Sequence, residues 1–220
     1  MKESFSDNKK YRLIANLGRL WMDQQDRLLV AETIQALDDR YDLSKKMADE
    51  PGVAEIIEQM AGRLAKSFQN LSDIQNKRIL DIACGSNTSK IPASLNNDTS
   101  FGEMKFGHSR GYTALFEPWF CRILFELEAM PVGVDFGDLE PEVFIHYQVN
   151  LGKPGALDFL PSHSFDGIQD SRLFGSPEFT SQFPLPTDRI KIAQEIKRQE
   201  QRLLKLNGII IHSDAIDLLK

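Results

Sequence analysis

The chain has 220 residues, 41% hydrophobic and 26% charged, which suits one large globular domain or a domain with an extension. Its formal net charge of −6 and pI of about 5.3 argue against a long nucleic acid as partner, because phosphate contacts are made by basic faces. Its two cysteines, Cys84 and Cys121, make no disulfide framework, and the lack of CxxC or HxxxH spacing argues against zinc; both are expected as buried thiols in a reducing compartment.

From the N-terminus, Met1 to Lys10 is polar and lacks the apolar centre of a signal peptide. No apolar run along the chain is long enough to cross a bilayer, so a cytoplasmic protein is expected. Residues 1–76 read as a helical region. Leu13, Ile14, Leu17, Leu20 and Trp21 recur at three- and four-residue steps, and Leu28, Leu29, Ile34 and Leu37 continue the stripe. Arg40-Tyr41-Asp42 reads as a break. A new helix starts near Pro51 and turns Val53, Ile56, Ile57, Met60 and Leu64 inward. These helices either pack on the domain that follows or form a lid over a pocket.

Residues 77–220 read as an α/β domain. Arg78 to Cys84 is a short apolar run ending in a Gly/Ser/Asn turn, as a buried parallel strand requires. Thr88 to Gly111 is a long polar loop, and loops of that length are commonly functional. A helix follows over about Thr113 to Met130, with Pro118 in its first turn. Phe116, Trp119 and Phe120 on it read as core. Val132-Gly133-Val134 is a second strand, capped by Asp135. Phe144 to Val149 and Phe165 to Gln169 are a third and a fourth. A helix over about Asp188 to Leu206 ends at Asn207-Gly208, and Ile209-Ile210-Ile211-His212 is a fifth strand. Strands alternating with helices imply a doubly wound, mostly parallel α/β sheet, which binds ligands at the carboxyl ends of its strands.

Two positions carry most of the chemistry. A nucleotide-like cofactor needs close approach to backbone, and Ala83, Gly85 and Ser86 are small; Asn87 tolerates a left-handed turn. At the end of the second strand, the Asp135 carboxylate suits a ribose diol.

With these in place, Lys77-Arg78-Ile79-Leu80-Asp81-Ile82-Ala83-Cys84-Gly85 resembles the first motif of class I S-adenosylmethionine (SAM) dependent methyltransferases. Pro131-Val132-Gly133-Val134-Asp135 resembles their second-strand motif. Leu157-Asp158-Phe159-Leu160-Pro161 with Ser164-Phe165-Asp166, and Leu204-Lys205-Leu206-Asn207-Gly208-Ile209-Ile210, resemble the passages into the fourth and fifth strands. The matches occur in family order over about residues 77–214. The resemblance implies a Rossmann-like fold with an N-terminal helical extension, SAM as cofactor, and an unknown small-molecule or protein methyl acceptor. It also implies roles. Asp81, Ala83, Cys84 and Gly85 would shape the methionine site. Asp135 would hold the ribose, Asn150 and Leu151 would border the adenine, and Gln169 or Asp170 would face the methyl group and substrate.

The chain departs from that pattern in four places. Asn87 stands where such loops often have glycine, and Asn150 where the family often has an acid. Asp81 and Asp135 lie 54 positions apart, against about 20 in the usual spacing. The sequence ends soon after the fifth strand, leaving no room for a sixth and seventh; an open sheet edge of that kind invites a homodimer.

Methyl transfer mostly requires alignment, and a general base only where the acceptor is a weak acid. Asp170 is the best-placed candidate base, ahead of His108, Tyr112 and His212; the last reads as a structural histidine. Arg110, in the long loop, could clasp a carboxylate of the cofactor or of a substrate. Lys191, Lys197, Arg198, Arg202 and Lys205 alternate with Glu195 and Glu200, as on a solvated helix face. Two other functions compete. A nicotinamide-dependent oxidoreductase wants G-x-G-x-x-G, where this chain has Ala83, Gly85 and Thr88. A catalytically degenerate methyltransferase-like scaffold would accommodate Asn87, Asn150 and the short C-terminus.

Overall fold

The computed structural model describes residues 19–50, 52–86, 114–137, 139–170, 173, 179 and 183–211. Five strands make one sheet: β1 (Arg78–Ile82), β2 (Met130–Asp135), β3 (Ile145–Gln148), β4 (Phe165–Gln169) and β5 (Leu204–Ile211). Their order is β3-β2-β1-β4-β5, and every neighbouring pair is parallel. Parallel neighbours need crossover connections, which place layers on both faces of the sheet. The architecture is the doubly wound, Rossmann-like α/β sheet that the alternation of elements predicts, with all of its strands parallel.

Side chains alternate across β1, so each face receives its own core. Ile79, with Ile211 of β5, faces a layer built from α1 (Gln24–Tyr41), α2 (Leu43–Asp49), α3 (Gly52–Phe68) and α4 (Trp119–Glu126). Leu80 and Ile82, with Val132, Val134 and Ile168, face α5 (Pro186–Leu203) and the turns of residues 151–160. The N-terminal helices therefore pack on the sheet. On α3, Val53, Ile57, Met60, Ala61, Leu64 and Ala65 recur at the helical period and are buried. On α1 the buried stripe is Asp26, Val30, Thr33 and Leu37, whereas Leu20 and Leu28 are exposed. The Asp23 side chain caps α1 by accepting the Asp26 N–H at 2.8 Å, and Asp42, at φ 52°, breaks the chain before α2.

Two helix boundaries differ from expectation. The helix placed over 113–130 is split. Ala114–Phe116 is a 3₁₀ turn, Pro118 is the cap of α4, and Glu128 turns left-handed at φ 58° before β2. At the other end, α5 stops at Leu203 and β5 begins at the next residue. Asn207-Gly208 therefore does not end the helix. Leu204 pairs with Phe165 and Ile209 with Gly167, so residues 205–208 bulge opposite Asp166. A Cβ on Gly208 would come within 2.7 Å of Leu204 Cγ and 3.0 Å of the Phe165 carbonyl, which explains a glycine there.

The strand order reverses between β1 and β4. Ligands in open α/β sheets bind in the crevice outside the carboxyl ends at such a reversal. Here those ends carry Ala83 to Ser86 on one side and Gln169 and Asp170 on the other.

Candidate functional site

The turn leaving β1 is tightly built. Ala83 takes φ 60° and Gly85 φ 101°, both in the left-handed region that favours glycine. The Ala83 and Cys84 N–H groups donate to the Val134 carbonyl, at 2.8 and 3.2 Å, and Ser86 N–H donates to the Phe116 carbonyl at 3.0 Å. A Cβ on Gly85 would sit 2.1 Å from that same carbonyl. The smallness seen in sequence at residue 85 is thus required by the chain's own Phe116–Glu117 backbone.

Asp135, at the carboxyl end of β2, ties this turn to the next loop. Its Oδ2 accepts the Gly85 N–H at 2.9 Å and its Oδ1 the Gly137 N–H at 2.8 Å. The second bond is an Asx turn, legible in Asp135-Phe136-Gly137 as an Asp followed two places on by Gly. A Cβ on Gly137 would lie 2.4 Å from the Ser86 side chain, so the loops after β1 and β2 are in contact. Gly137 was not foreseen as a site residue. Asp135 is half-buried.

Asp81 is fully buried within β1, in register with Gln169 of β4. Gln169 Nε2 donates to Asp81 Oδ1 at 3.4 Å, and the Cys121 thiol lies 3.8 Å from Asp81 Oδ2. Asp81 therefore supports the turn from beneath rather than lining its surface. Cys84 and Cys121, distant in sequence, come together over Gly133, where a Cβ would meet both sulfurs. Both are free and buried. Burial, then the neighbouring Cys121, pushes the Cys84 thiol well above the ordinary range, and burial raises Cys121 to about 11. They are unreactive packing groups at neutral pH.

Asp170 follows Gln169 but points to the opposite face, against α5. It is 2% exposed, and Lys197 Nζ donates to its Oδ2 at 3.2 Å. The same ammonium donates to Glu200 Oε2 at 2.8 Å. Glu200 is as deeply buried as Asp170. Burial, then the negative charge of Asp170, pushes the Glu200 carboxyl up to about 7 against the pull of Lys197. Burial opposes the Lys197 charge, but the hydrogen bond to Glu200 and the charge of Asp170 hold its pKa above the usual lysine value. The basic set divides: Lys191 and Arg198 are exposed, as on a solvated face, whereas Lys197 and Arg202 of α5 and Lys205 of β5 bond groups from other elements. Arg202 donates to the Leu157 and Leu160 carbonyls at 2.8 Å, Lys205 pairs with Asp166, and Glu200 is internal. A shallow depression on the outer side of α5, lined by Ile190, Ala193, Gln194 and Gln201 among others, lacks a glycine turn or carboxylate and is not the candidate site.

After β3, Asn150 Oδ1 accepts the Gly152 N–H at 3.0 Å, and Leu151 is buried in the α5-side core. The Val149 N–H donates to the Asp135 carbonyl at 2.8 Å, which places Asn150 and Leu151 one strand away from Asp135. Arg110, His108, Tyr112, His212 and Asn87 lie outside the described residues.

A buried ionic network adjoins the turn through Glu117. Arg122 of α4 is bonded to Glu117 and to Glu142 Oε1, the latter at 2.7 Å. Lys46 of α2 also binds Glu117, and the Tyr41 hydroxyl donates to Glu142 Oε2 at 3.2 Å. The Arg122 guanidinium lies 4.0 Å from the centre of the Tyr41 ring and 4.5 Å from that of Trp119. These partners come from four separate segments, and no local sequence pattern marks them.

Comparison with family models, with curated proteins and with solved structures finds no match to this chain. No helix among the described residues is long and apolar enough to cross a membrane.

Proposed function

We propose that the chain is a SAM-dependent methyltransferase acting on a small-molecule or protein acceptor. The observation that carries this reading is the Asp135 carboxylate beside the Gly85 turn, at the carboxyl end of β2 and next to the reversal of strand order. An acid there suits the two hydroxyls of a ribose. The backbone of the turn favours SAM over a dinucleotide. A pyrophosphate is held by turn and helix N–H groups, but the N–H groups of Ala83, Cys84, Gly85 and Ser86 all serve protein acceptors. A sulfonium cofactor carries no phosphate and makes no such demand.

Isothermal titration with SAM, S-adenosylhomocysteine and NAD tests the reading. Binding of the first two without NAD is expected; tight NAD binding with no SAM binding overturns it. Asp135→Ala is expected to weaken SAM binding by about 1–3 kcal/mol, the cost of charge-assisted hydrogen bonds to the ribose. Unchanged affinity would remove Asp135 from the cofactor site.

One observation favours a second reading, a methyltransferase-like binding module without catalysis. Asp170, the best-placed candidate base, is held by Lys197 and turned toward α5. An active enzyme of this design would suit an acceptor that needs no deprotonation. S-adenosylhomocysteine at about 100 Kd should stabilise a competent site by about 2.7 kcal/mol. Absence of any thermal shift at millimolar ligand would favour the module.

A further inference from the structure

We propose that Glu200 keeps a proton beside Asp170 and beneath Lys197, forming a pH-sensitive latch that fastens α5 to the carboxyl end of β4. The inference comes from counting charges and hydrogen bonds. Lys197 supplies one positive charge and occupies one oxygen of each carboxyl, Asp170 Oδ2 and Glu200 Oε2. The remaining oxygens, Asp170 Oδ1 and Glu200 Oε1, are buried and have no hydrogen-bond partner. Both residues are 2% exposed, so bulk water does not supply one. The one ammonium they share brings the two carboxyls together on the same side of α5.

With both ionised, the cluster carries, among the described residues, one uncompensated negative charge and two buried acceptors without a partner. Each defect is costly alone. A single proton on Glu200 neutralises the excess charge. Among the described residues, the charged groups that act on Glu200 are Asp170, just after β4, and Lys197 from its own helix. Gln169 and Asp81 lie in register on neighbouring strands, with Cys121 of α4 beside Asp81, on the other face of the sheet.

The sign of the effect follows. The folded protein keeps this proton in a pH range where an unfolded chain, with Glu200 at its ordinary value, has released it. The latch therefore strengthens folding on the acidic side, and its contribution is lost as pH rises through about 7. The latch requires no cofactor, so it stands apart from the methyltransferase reading.

Equilibrium unfolding of the full chain between about pH 5.5 and 8.5, with infrared spectra of the native state, tests it. The folded-to-unfolded ratio is expected to fall on the order of 30-fold over this range in the wild type. Glu200→Gln, permanently neutral and able to donate, should flatten the profile to less than about threefold. A protonated-carboxyl band should be present at acidic pH in the wild type, fade near neutrality, and be missing from Glu200→Gln. An identical pH profile in wild type and variant, or a wild type with no such band at about pH 5.5, would overturn the proposal. Should Glu200→Gln fail to fold, the wild-type infrared titration decides, and Asp170→Asn provides the reciprocal variant.

Discussion

At the scale of single residues, Ala83 and Gly85 share a left-handed backbone but differ in what they tolerate. Ala83 sits at φ 60° with a side chain that disfavours it, so Ala83→Gly should stabilise the fold by about 0.5–1 kcal/mol. Gly85→Ala adds a Cβ 2.1 Å from the Phe116 carbonyl and should cost about 2–4 kcal/mol. Urea unfolding of the two variants measures both, and equal effects of either sign would contradict the geometry. Small residues at 83, 85 and 86 were legible in the sequence, and so was the acid at 135. What approaches Gly85 was not, because the Phe116 carbonyl arrives from another segment. Glu200 was misread for a related reason. A glutamate three residues after Lys197 looks solvated on any helix, and only the position of Asp170 just after β4 shows that it is internal.

At the scale of elements, apolar runs located β1, β2 and the end of β5, since a buried parallel strand is a short continuous hydrophobic stretch, whereas β3 is largely exposed and carries His146 and Gln148. The passage from α5 to β5 was misplaced. Leu203, Leu204 and Leu206 prolong a helical pattern, and Asn207-Gly208 imitates a helix stop. In the fold Gly208 belongs to the bulge that lets β5 rejoin β4 at Ile209. Gly208→Ala, which crowds Leu204 and the Phe165 carbonyl, should therefore lower stability by about 1–3 kcal/mol. If Gly208 were only a helix stop in open solvent, alanine would be nearly neutral. Chemical denaturation separates these outcomes.

At the scale of the whole molecule, α1 and α2 are joined to the α/β layers by charge as well as by apolar packing. Arg122 holds Glu117 and Glu142, while Lys46 and Tyr41 reach the same two acids from the N-terminal helices. Removing one member of a buried ionic group leaves its partners charged and unpaired. Arg122→Met should thus destabilise by about 3–5 kcal/mol, measured by denaturant unfolding. A loss below about 1 kcal/mol would mean that the acids are neutral or solvated. Neither this network nor the strand order could be read from the sequence. Tyr41 and Glu142 are 101 positions apart, and the sheet sets β1 beside β4 across most of the domain.

The donors of the turn after β1 have a consequence for how any ligand is received. Each N–H from Ala83 to Ser86 already has an internal acceptor, so this turn is built before anything approaches it. Under the proposed function, recognition there would fall to shape and to the Asp135 side chain, and an incoming molecule would not have to order that turn. Such a site gives up little conformational entropy at the turn on binding. Under the proposed function, selectivity there would rest on which molecules fit the preformed turn, more than on which ones can remould it.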